Sequence, residues 1–313
     1  MVASTDRLLR ELKSGQPEAR IGERVVERLI QATGLSAILF ILLIFAFLIR
    51  ESAPTFVEVP LGDLLGTRWY PIEAYYGLLP LIFGSVVVTL GAALIALPIG
   101  LMTAVFIAEV APRWAREILK PFVEILGGIP SVVLGFMGIL VLAPVIRTTL
   151  NMPTGLTAFT GSLLLAGMAL PTIVSVAEDA LDAVPRSYRD AALALGATRW
   201  QTIWRVTVPA ARSGILTAMM LGVGRAIGET MTVLMVTGNA ARMPEGPVAL
   251  FRPVRTMTAT IAAEMGEVAR GSAHYHVLFT IGLVLFVISF LINLTASIVI
   301  FRQARRHQEK VLA

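Results

Sequence analysis

The feature that most constrains how this chain can fold is the near absence of charged side chains from long stretches of its sequence. A helix of about 20 apolar residues crosses a bilayer, whereas a buried helix of a soluble protein keeps a polar face at a period of about 3.6 residues. These stretches show no such period. They predict an all-α integral membrane protein with six transmembrane helices, within residues 29–49, 79–108, 125–146, 156–177, 213–241 and 277–301.

Aromatic residues, glycine and proline refine the ends of these segments. Tyr75 and Tyr76 suit a membrane–water interface, so we expect the second helix to start after them. Pro98 lies inside that helix and predicts a bend. The run from Gly127 to Pro130 predicts a break in the chain just before the third helix.

The distribution of positive charge predicts the orientation of the chain. Cytoplasmic connections of membrane proteins are rich in Lys and Arg. Most of the 26 Lys and Arg residues lie in the terminal tails and in the connections between helices two and three and between helices four and five. We therefore expect both termini in the cytoplasm, with an N-terminal tail (1–28), a membrane domain (29–302) and a C-terminal tail (303–313). Because this placement accounts for the net charge of +5, nucleic acid is not an expected partner.

Catalytic and metal-binding motifs are not found in the sequence. An ATPase needs a glycine-rich loop that ends in Gly-Lys-Ser or Gly-Lys-Thr, and none of Lys13, Lys120 and Lys310 has these neighbours. The chain has no Cys, which excludes thiolate sites. His274 and His276 have no carboxylate close by in the sequence to complete a metal site. The chain is therefore predicted not to be an enzyme and to carry no metal or other cofactor of its own.

The most polar internal connection, between helices four and five, has a helical pattern. Ser187 and Asp190 have the spacing of a capping box, which predicts that a helix begins at Ser187. Gly196 allows a sharp change of direction, and a second short helix is predicted from Thr198 until Pro209 closes it. The pattern alone fits a docking element and a solvated amphipathic loop equally well.

This connection resembles the EAA loop of ABC importer permeases. The family pattern is Glu-Ala-Ala, three residues, Gly, nine residues and Ile-x-Leu-Pro, and the sequence from Asp190 to Pro209 keeps that spacing. Asp replaces the Glu, and Val replaces both the Ile and the Leu. The resemblance implies a coupling element over 185–210 that seats in a groove of a separate ATPase subunit, with the following residues at the contact: Arg189, Asp190, Ala191, Ala192, Gly196 and Pro209.

Further motifs resemble the permease subunits of phosphate ABC importers, and among them the PstC type more than the PstA type. The resemblance covers about residues 29–302 and is most specific at 224–230, Gly-Arg-Ala-Ile-Gly-Glu-Thr. It implies the MetI-like core of a type I ABC importer, forming half of a pathway for inorganic phosphate across the bacterial inner membrane. The implied partners are a PstA-like second permease, an ATPase dimer that binds ATP and Mg²⁺, and an extracytoplasmic phosphate-binding protein. The other matching runs are 129–133, 170–175, 178–181 and 231–239.

Two charges inside the fifth segment are candidates for the substrate pathway without reference to any family. Arg225 and Glu229 are four residues apart, so a continuous helix would place them on one face. Charges within a membrane normally face a cavity or the interior of a bundle. A guanidinium can bind a phosphate oxyanion through two hydrogen bonds, and Glu229 could accept the proton that phosphate carries and sulfate lacks. Together with Thr230 they form the predicted pathway; the alternative is an ion pair that locks the fifth helix against its neighbours.

Other functions remain open from the sequence. A permease for another oxyanion, such as molybdate, sulfate or phosphonate, is the nearest alternative, because Arg225 and Glu229 do not by themselves predict specificity. A secondary transporter or channel would act without an ATPase, and a membrane scaffold would not depend on a substrate. The external segment 238–275 could contact a substrate-delivering protein or be an ordinary solvated loop.

Overall fold

The computed structural model describes residues 17–244, 246 and 248–312, so most of the predicted N-terminal tail lies outside the described residues. The chain divides into two compact units between Glu51 and Ser52. The first unit contains nearly all of helix α1 (Pro17–Ser52), which includes the predicted first transmembrane helix.

Short elements begin the second unit. Helices α2 (Thr55–Glu58) and α3 (Leu61–Leu64) are single turns, and they lead into the antiparallel strands β1 (Trp69–Tyr70) and β2 (Tyr75–Tyr76). The loop of this hairpin closes at Ala74, which has a φ of 60°. Tyr75 and Tyr76 are therefore strand residues that precede the second transmembrane helix.

The second transmembrane helix begins where the sequence predicts it. Helix α4 (Leu79–Val105) contains Pro98 without ending there, and a π-helical turn (Phe106–Val110) extends it. Helix α5 (Arg113–Gly127) follows and is amphipathic, with its apolar residues on one face. With 15 residues it is shorter than the roughly 20 that a helix needs to cross a bilayer.

The third and fourth transmembrane helices follow a break at Gly128–Pro130, as predicted. The third consists of α6 (Ser131–Met137), a π-helical segment (Gly138–Leu142) and α7 (Ala143–Thr149). The fourth is α8 (Ala158–Asp182), and its start is fixed by Thr157, whose Oγ1 accepts a hydrogen bond from the backbone N of Thr160 at 3.3 Å. This cap satisfies one of the donors that a helix N-terminus leaves unpaired.

The connection between the fourth and fifth spans is helical, as expected, but two details of the prediction are wrong. Helix α9 (Arg186–Ala194) begins behind Pro185 without a side-chain cap, and the capping box forms at the next helix, where Thr198 and Gln201 bond reciprocally. Gly196 makes the expected bend with a φ of 83°. Pro209 does not close the second helix, because it lies in the first turn of its last section. That helix consists of α10 (Arg199–Thr202), a π-helical turn (Ile203–Thr207) and α11 (Val208–Ala210).

The fifth span is bent and broken rather than continuous over 213–241. Helix α12 (Arg212–Gly228) meets the preceding helix 199–210 at an angle of 71°, and α13 (Met231–Val236) begins after an interruption at Glu229 and Thr230. Within the described residues, five helices are long and apolar enough to cross a membrane, and the bent pair makes a sixth. Two helices complete the chain: α14 (Met257–Glu264) and α15 (Ala273–Leu312).

Helix α8 is at the centre of the core because its two main neighbours approach it through glycine. Ile173 of α8 is only 1% exposed. A Cβ atom added at Gly100 of α4 would lie 2.7 Å from Cγ2 of Ile173, and one added at Gly222 of α12 would clash with Cγ1 of the same side chain. These glycines let the backbones of the three helices approach one another closely, as is common between helices in membranes.

Candidate functional site

The predicted substrate-pathway residues lie at the interruption between α12 and α13. Arg225 occupies the last turn of α12, and Glu229 follows it in an extended conformation with a ψ of 130°. Because the helix ends at Gly228, the two side chains are not stacked on one helical face, and the i, i+4 prediction is wrong. The hydroxyl of Thr230 lies 3.4 Å from the carbonyl oxygen of Gly228 and helps to close this turn.

Arg225 is hydrogen bonded to two neutral groups. Its Nη1 donates to Oγ1 of Thr172 in α8 at 3.1 Å, and its Nη2 donates to the carbonyl oxygen of Gly127 at the end of α5 at 3.3 Å. Neither Arg225 nor Glu229 takes part in an ion pair among the residues that the structure describes. The alternative of a locking ion pair between them is therefore not observed.

Glu229 stabilises the start of α13. Its Oε1 accepts a hydrogen bond from the backbone N of Thr232 at 3.2 Å, and its backbone oxygen accepts one from Oγ1 of Thr258 in α14 at 3.0 Å. Thr232 in turn donates through its hydroxyl to the carbonyl oxygen of Ser131 at 2.9 Å. The three sequence motifs that contain Ser131, Thr172 and Arg225 therefore meet at this interruption.

This arrangement leaves Arg225 able to bind an anion. A guanidinium has five N–H donors in a fixed plane, and the two protein acceptors use only part of this capacity. The side chain is exposed on the surface of this chain, so its other donors are accessible. Because both protein acceptors are neutral, an oxyanion at this position would be the first full negative charge on the guanidinium.

In the coupling element, the predicted contact residues face different ways. Asp190, Ala191 and Gly196 are exposed and can meet a partner. Arg189 faces the membrane domain instead, with its side chain 20% exposed and paired at 2.6 Å with Glu109 of the π-helical turn that ends the second span. It also donates hydrogen bonds to the carbonyl oxygens of Leu181 and Val184.

An apolar surface on the coupling element was not identified from the sequence. The most exposed of its large apolar side chains is Leu195, at 90%, and Trp200 and Trp204 pack edge to face with ring centroids 5.5 Å apart. Large apolar side chains in a connection predicted to be polar are the signal that could have indicated it. We name this surface the apolar tip; it consists of Tyr188, Leu193, Leu195, Trp200 and Trp204.

A buried charge also joins α5 to α8. Glu178 is 1% exposed, and it forms ion pairs with Arg116 and with Lys120, the latter at 2.6 Å. Hydrogen bonds to Asp179 and Glu178 raise the pKa of Lys120 above its ordinary value of 10.5. The ion pairs of Lys120 stabilise the folded chain fully at pH values below the pKa that Lys120 has in the unfolded chain. This stability is lost only as the pH rises through the higher pKa of the folded chain, so Lys120 stays charged and paired throughout the neutral range.

The sequence was compared with known proteins. The family model described as "Binding-protein-dependent transport system inner membrane component" matches residues 96–307. The probable ABC transporter permease protein YqgH of Bacillus subtilis is 45% identical, and the match covers 74% of this chain and 75% of that protein. The phosphate transport system permease protein PstC of Mesorhizobium japonicum is 38% identical, with coverage of 76% and 78%.

Solved structures of two importers are similar in fold. A chain of the inward-facing MetNI methionine ABC transporter matches with a TM-score of 0.57 at 20% identity, covering 75% of this chain and 99% of its own. A chain of the bacterial alginate ABC transporter, solved with an alginate-bound periplasmic protein, matches with a TM-score of 0.60 at 16% identity, covering 86% and 93%. At these identities the similarity establishes the fold alone. With the matching family model and the PstC relatives, it follows that this chain belongs to the binding-protein-dependent transport system inner membrane components, the permease subunits of ABC importers.

Proposed function

We propose that this chain is one of two permease subunits of an ATP-driven importer of inorganic phosphate, with both termini in the cytoplasm. The observation that carries the proposal is Arg225, a membrane-embedded guanidinium at a helix interruption whose protein partners are both neutral. The relatives named as PstC phosphate permeases support the choice of phosphate over other anions.

Arg225 and Glu229 have complementary tasks in this proposal. The guanidinium binds phosphate oxygens in its plane through charge-assisted hydrogen bonds. One oxygen of Glu229 caps α13, and the other is left to accept a hydrogen bond from the protonated oxygen of hydrogen phosphate. Sulfate has no proton to donate at neutral pH, so it would face an unpaired carboxylate and bind more weakly.

In this proposal the coupling element links ATP hydrolysis by the partner subunit to transport. The apolar tip is the surface proposed to seat in a separate ATPase subunit, which binds ATP and Mg²⁺, so that this chain needs no cofactor and hydrolyses nothing. A PstA-like second permease would complete the pathway, and an extracytoplasmic binding protein would deliver phosphate. Closure of the ATPase dimer would move the coupling elements and open the pathway alternately to each side.

Uptake by a reconstituted importer tests the proposal. The chain is assembled in liposomes with candidate partners, and uptake of labelled phosphate is measured with arsenate or sulfate as competitor. We expect arsenate to compete and sulfate not to. We expect Arg225→Gln to lower uptake at least about tenfold, because it removes charge-assisted hydrogen bonds. Arg225→Lys, which keeps the charge without the planar fork, should lose less.

The control is Arg147→Gln, which removes an exposed charge at the end of the third span and should leave uptake unchanged. Normal uptake by a correctly assembled Arg225→Gln importer would refute the assigned role. Sulfate uptake in place of phosphate uptake would assign another oxyanion. Uptake by this chain alone, driven by an ion gradient, would instead make it a secondary transporter.

A further inference from the structure

Three of the arginines in the segments predicted to be extracytoplasmic line one cleft. The cleft has a volume of about 1080 Å³ and is lined by residues of three separate segments, and each segment contributes one arginine: Arg68, Arg242 and Arg252. External segments of membrane proteins are normally poor in positive charge, so three arginines in one cleft run against the prevailing bias.

The walls of this cleft are held in place by the fold. The backbone N of Val254 donates to the carbonyl oxygen of Thr237 at 2.9 Å, which fixes the Arg252 segment against the chain that leaves α13. The approach is close: Gly238 has a φ of 81°, and a Cβ atom there would lie 2.8 Å from Cβ of Pro253. Ala241, beside Arg242, packs against the buried hydrophobic cluster that includes Trp69 and Tyr76 of the hairpin.

The three guanidinium groups have no carboxylate partner among the described residues. The neighbouring Arg255 does have one, since its Nη2 lies 2.7 Å from Oε1 of Glu264, and His274 contacts the other oxygen of the same carboxylate at 2.8 Å. Glu73 lines the cleft but pairs with none of its arginines. Among the residues that the structure describes, the cleft therefore presents three positive charges and one negative charge that are not paired with one another.

The cleft is also linked to the proposed pathway along the chain, through α13. The segment that carries Arg242 begins directly after α13, a helix of six residues whose other end is capped by Glu229. At about 1.5 Å per residue, α13 itself is only about 9 Å long. A concave surface of one sign concentrates the opposite ion and raises its rate of entry.

We propose that this cleft is a binding site for phosphate groups at the extracytoplasmic mouth of the pathway, where Arg68, Arg242 and Arg252 receive the anion before it reaches Arg225. The choice of phosphate rests on the proposed function. The same guanidinium chemistry would also hold the phosphate of an anionic lipid headgroup. The two sources share one recognition chemistry, and experiment separates them.

The test measures binding of radiolabelled inorganic phosphate to the purified full chain in nanodiscs of zwitterionic lipid, in an Arg225→Gln background that removes the membrane-embedded site. Replacing Arg68, Arg242 and Arg252 together by Gln should weaken binding at least about tenfold, because charge-assisted hydrogen bonds are lost. Glu73→Gln should strengthen it, since it removes the only carboxylate that lines the cleft among the described residues. The control Arg270→Gln, at an exposed arginine outside the cleft, should stay within about twofold.

Nanodiscs that contain phosphatidylglycerol distinguish the source of the phosphate group. If it is a headgroup, native mass spectrometry should find lipid retained by the chain and lost from the triple variant, and anionic lipid should suppress binding of free phosphate. Equal binding of phosphate and of lipid by the parent and a correctly folded triple variant would overturn the proposal, as would an equal loss in Arg270→Gln. Failure of the proposed function would give a different result. The cleft would still bind phosphate, but the reconstituted importer would not take phosphate up.

Discussion

At the scale of single residues, Glu229 combines a structural and a chemical task in one side chain. One oxygen caps α13, and the ionisable carboxylate lies in the same interruption as Arg225. Substitutions can separate these tasks, because Gln keeps the acceptor oxygen and loses the charge, whereas Ala loses both.

We therefore expect Glu229→Gln to keep the thermal stability of the chain and to lower phosphate uptake. Glu229→Ala should lower uptake and also destabilise the chain by about 1 kcal/mol, the usual cost of a lost helix cap. Melting in detergent and uptake in liposomes provide the two readouts. Equal melting temperatures for the Gln and Ala variants would contradict the capping role.

The two glycines near the end of α12 provide a matched pair. A Cβ atom at Gly222 would clash with Ile173, whereas one at Gly224 would meet nothing within 4 Å in this chain. Gly222→Ala should destabilise the isolated chain by about 1–3 kcal/mol through overpacking. Gly224→Ala should be neutral or stabilise it by up to about 1 kcal/mol, because Ala favours helix. Thermal unfolding in detergent compares them, and a larger loss at Gly224 would show that the packing is assigned incorrectly.

The placement of Arg225 and Glu229 in a substrate pathway stays a prediction, and the sequence did not predict how the two residues are arranged. The i, i+4 argument assumes that the helix continues, and Glu229 instead adopts an extended backbone whose side chain bonds to Thr232. That competition between a helical hydrogen bond and a side-chain cap depends on partners distant in sequence, such as Thr258 and Ser131. No local pattern contains those partners.

At the scale of elements, helix α9 of the predicted coupling element is attached to the membrane domain by Arg189. The guanidinium bonds to Glu109 of the second span and to two carbonyl oxygens at and just beyond the end of the fourth, so α9 is tied to the ends of both spans. Arg189 is therefore a positioning residue in this structure, and its predicted contact with an ATPase stays a prediction.

Breaking this pair should uncouple ATP hydrolysis from transport. We expect Arg189→Ala or Glu109→Ala to lower uptake while the ATPase still binds, because the apolar tip is untouched. Removing one partner leaves a half-buried charge unpaired, which costs up to about 3–5 kcal/mol. The exchange Arg189→Glu with Glu109→Arg should recover part of the loss. Arg199→Ala, at an exposed arginine of the same connection, is the control; an equal loss there would exclude a specific role for the pair.

The start of α9 shows why helix ends were harder to predict than helices. Ser187 with Asp190 and Thr198 with Gln201 both have capping-box spacing, yet only the second box forms. At the first site Pro185 fixes the backbone, and the helix starts one residue earlier, at Arg186. The pattern is necessary for the box, but the backbone that enters the helix determines whether it forms.

At the scale of the whole molecule, the chain contains no Cys, so single introduced cysteines can report its orientation. Leu195 in the apolar tip is 90% exposed, and Ile72 in the hairpin is 87% exposed. With a membrane-impermeant thiol reagent added to intact cells, Ile72→Cys should be labelled and Leu195→Cys should react only after lysis. The Cys-free parent is the control. Labelling of Leu195→Cys in intact cells would reverse the predicted topology.

The number and order of the spans could be predicted because an uninterrupted apolar stretch has few stable alternatives in a bilayer. The broken fifth span could not, since Ala211 at its bend and Glu229 at its interruption are ordinary residues locally. Their conformations are set by packing: Ala211 is buried beside Ile215 and Ala218, and Glu229 is held by α13 and α14. Breaks marked by glycine and proline, such as the one before Ser131, were visible in the sequence.

Because residues 199–210 and α12 meet at an angle of 71°, a displacement of the first segment would rotate the second. The segment 199–210 follows α9 along the chain. Helix α12 has 17 residues and is about 25 Å long, and Arg225 lies near its C-terminal end. When residues 199–210 are displaced, α12 would rotate with them, and the length of α12 would determine how far the Arg225 guanidinium moves. Inserting or deleting a helical turn in the middle of α12 would therefore change the displacement of Arg225 without altering the contacts at the apolar tip.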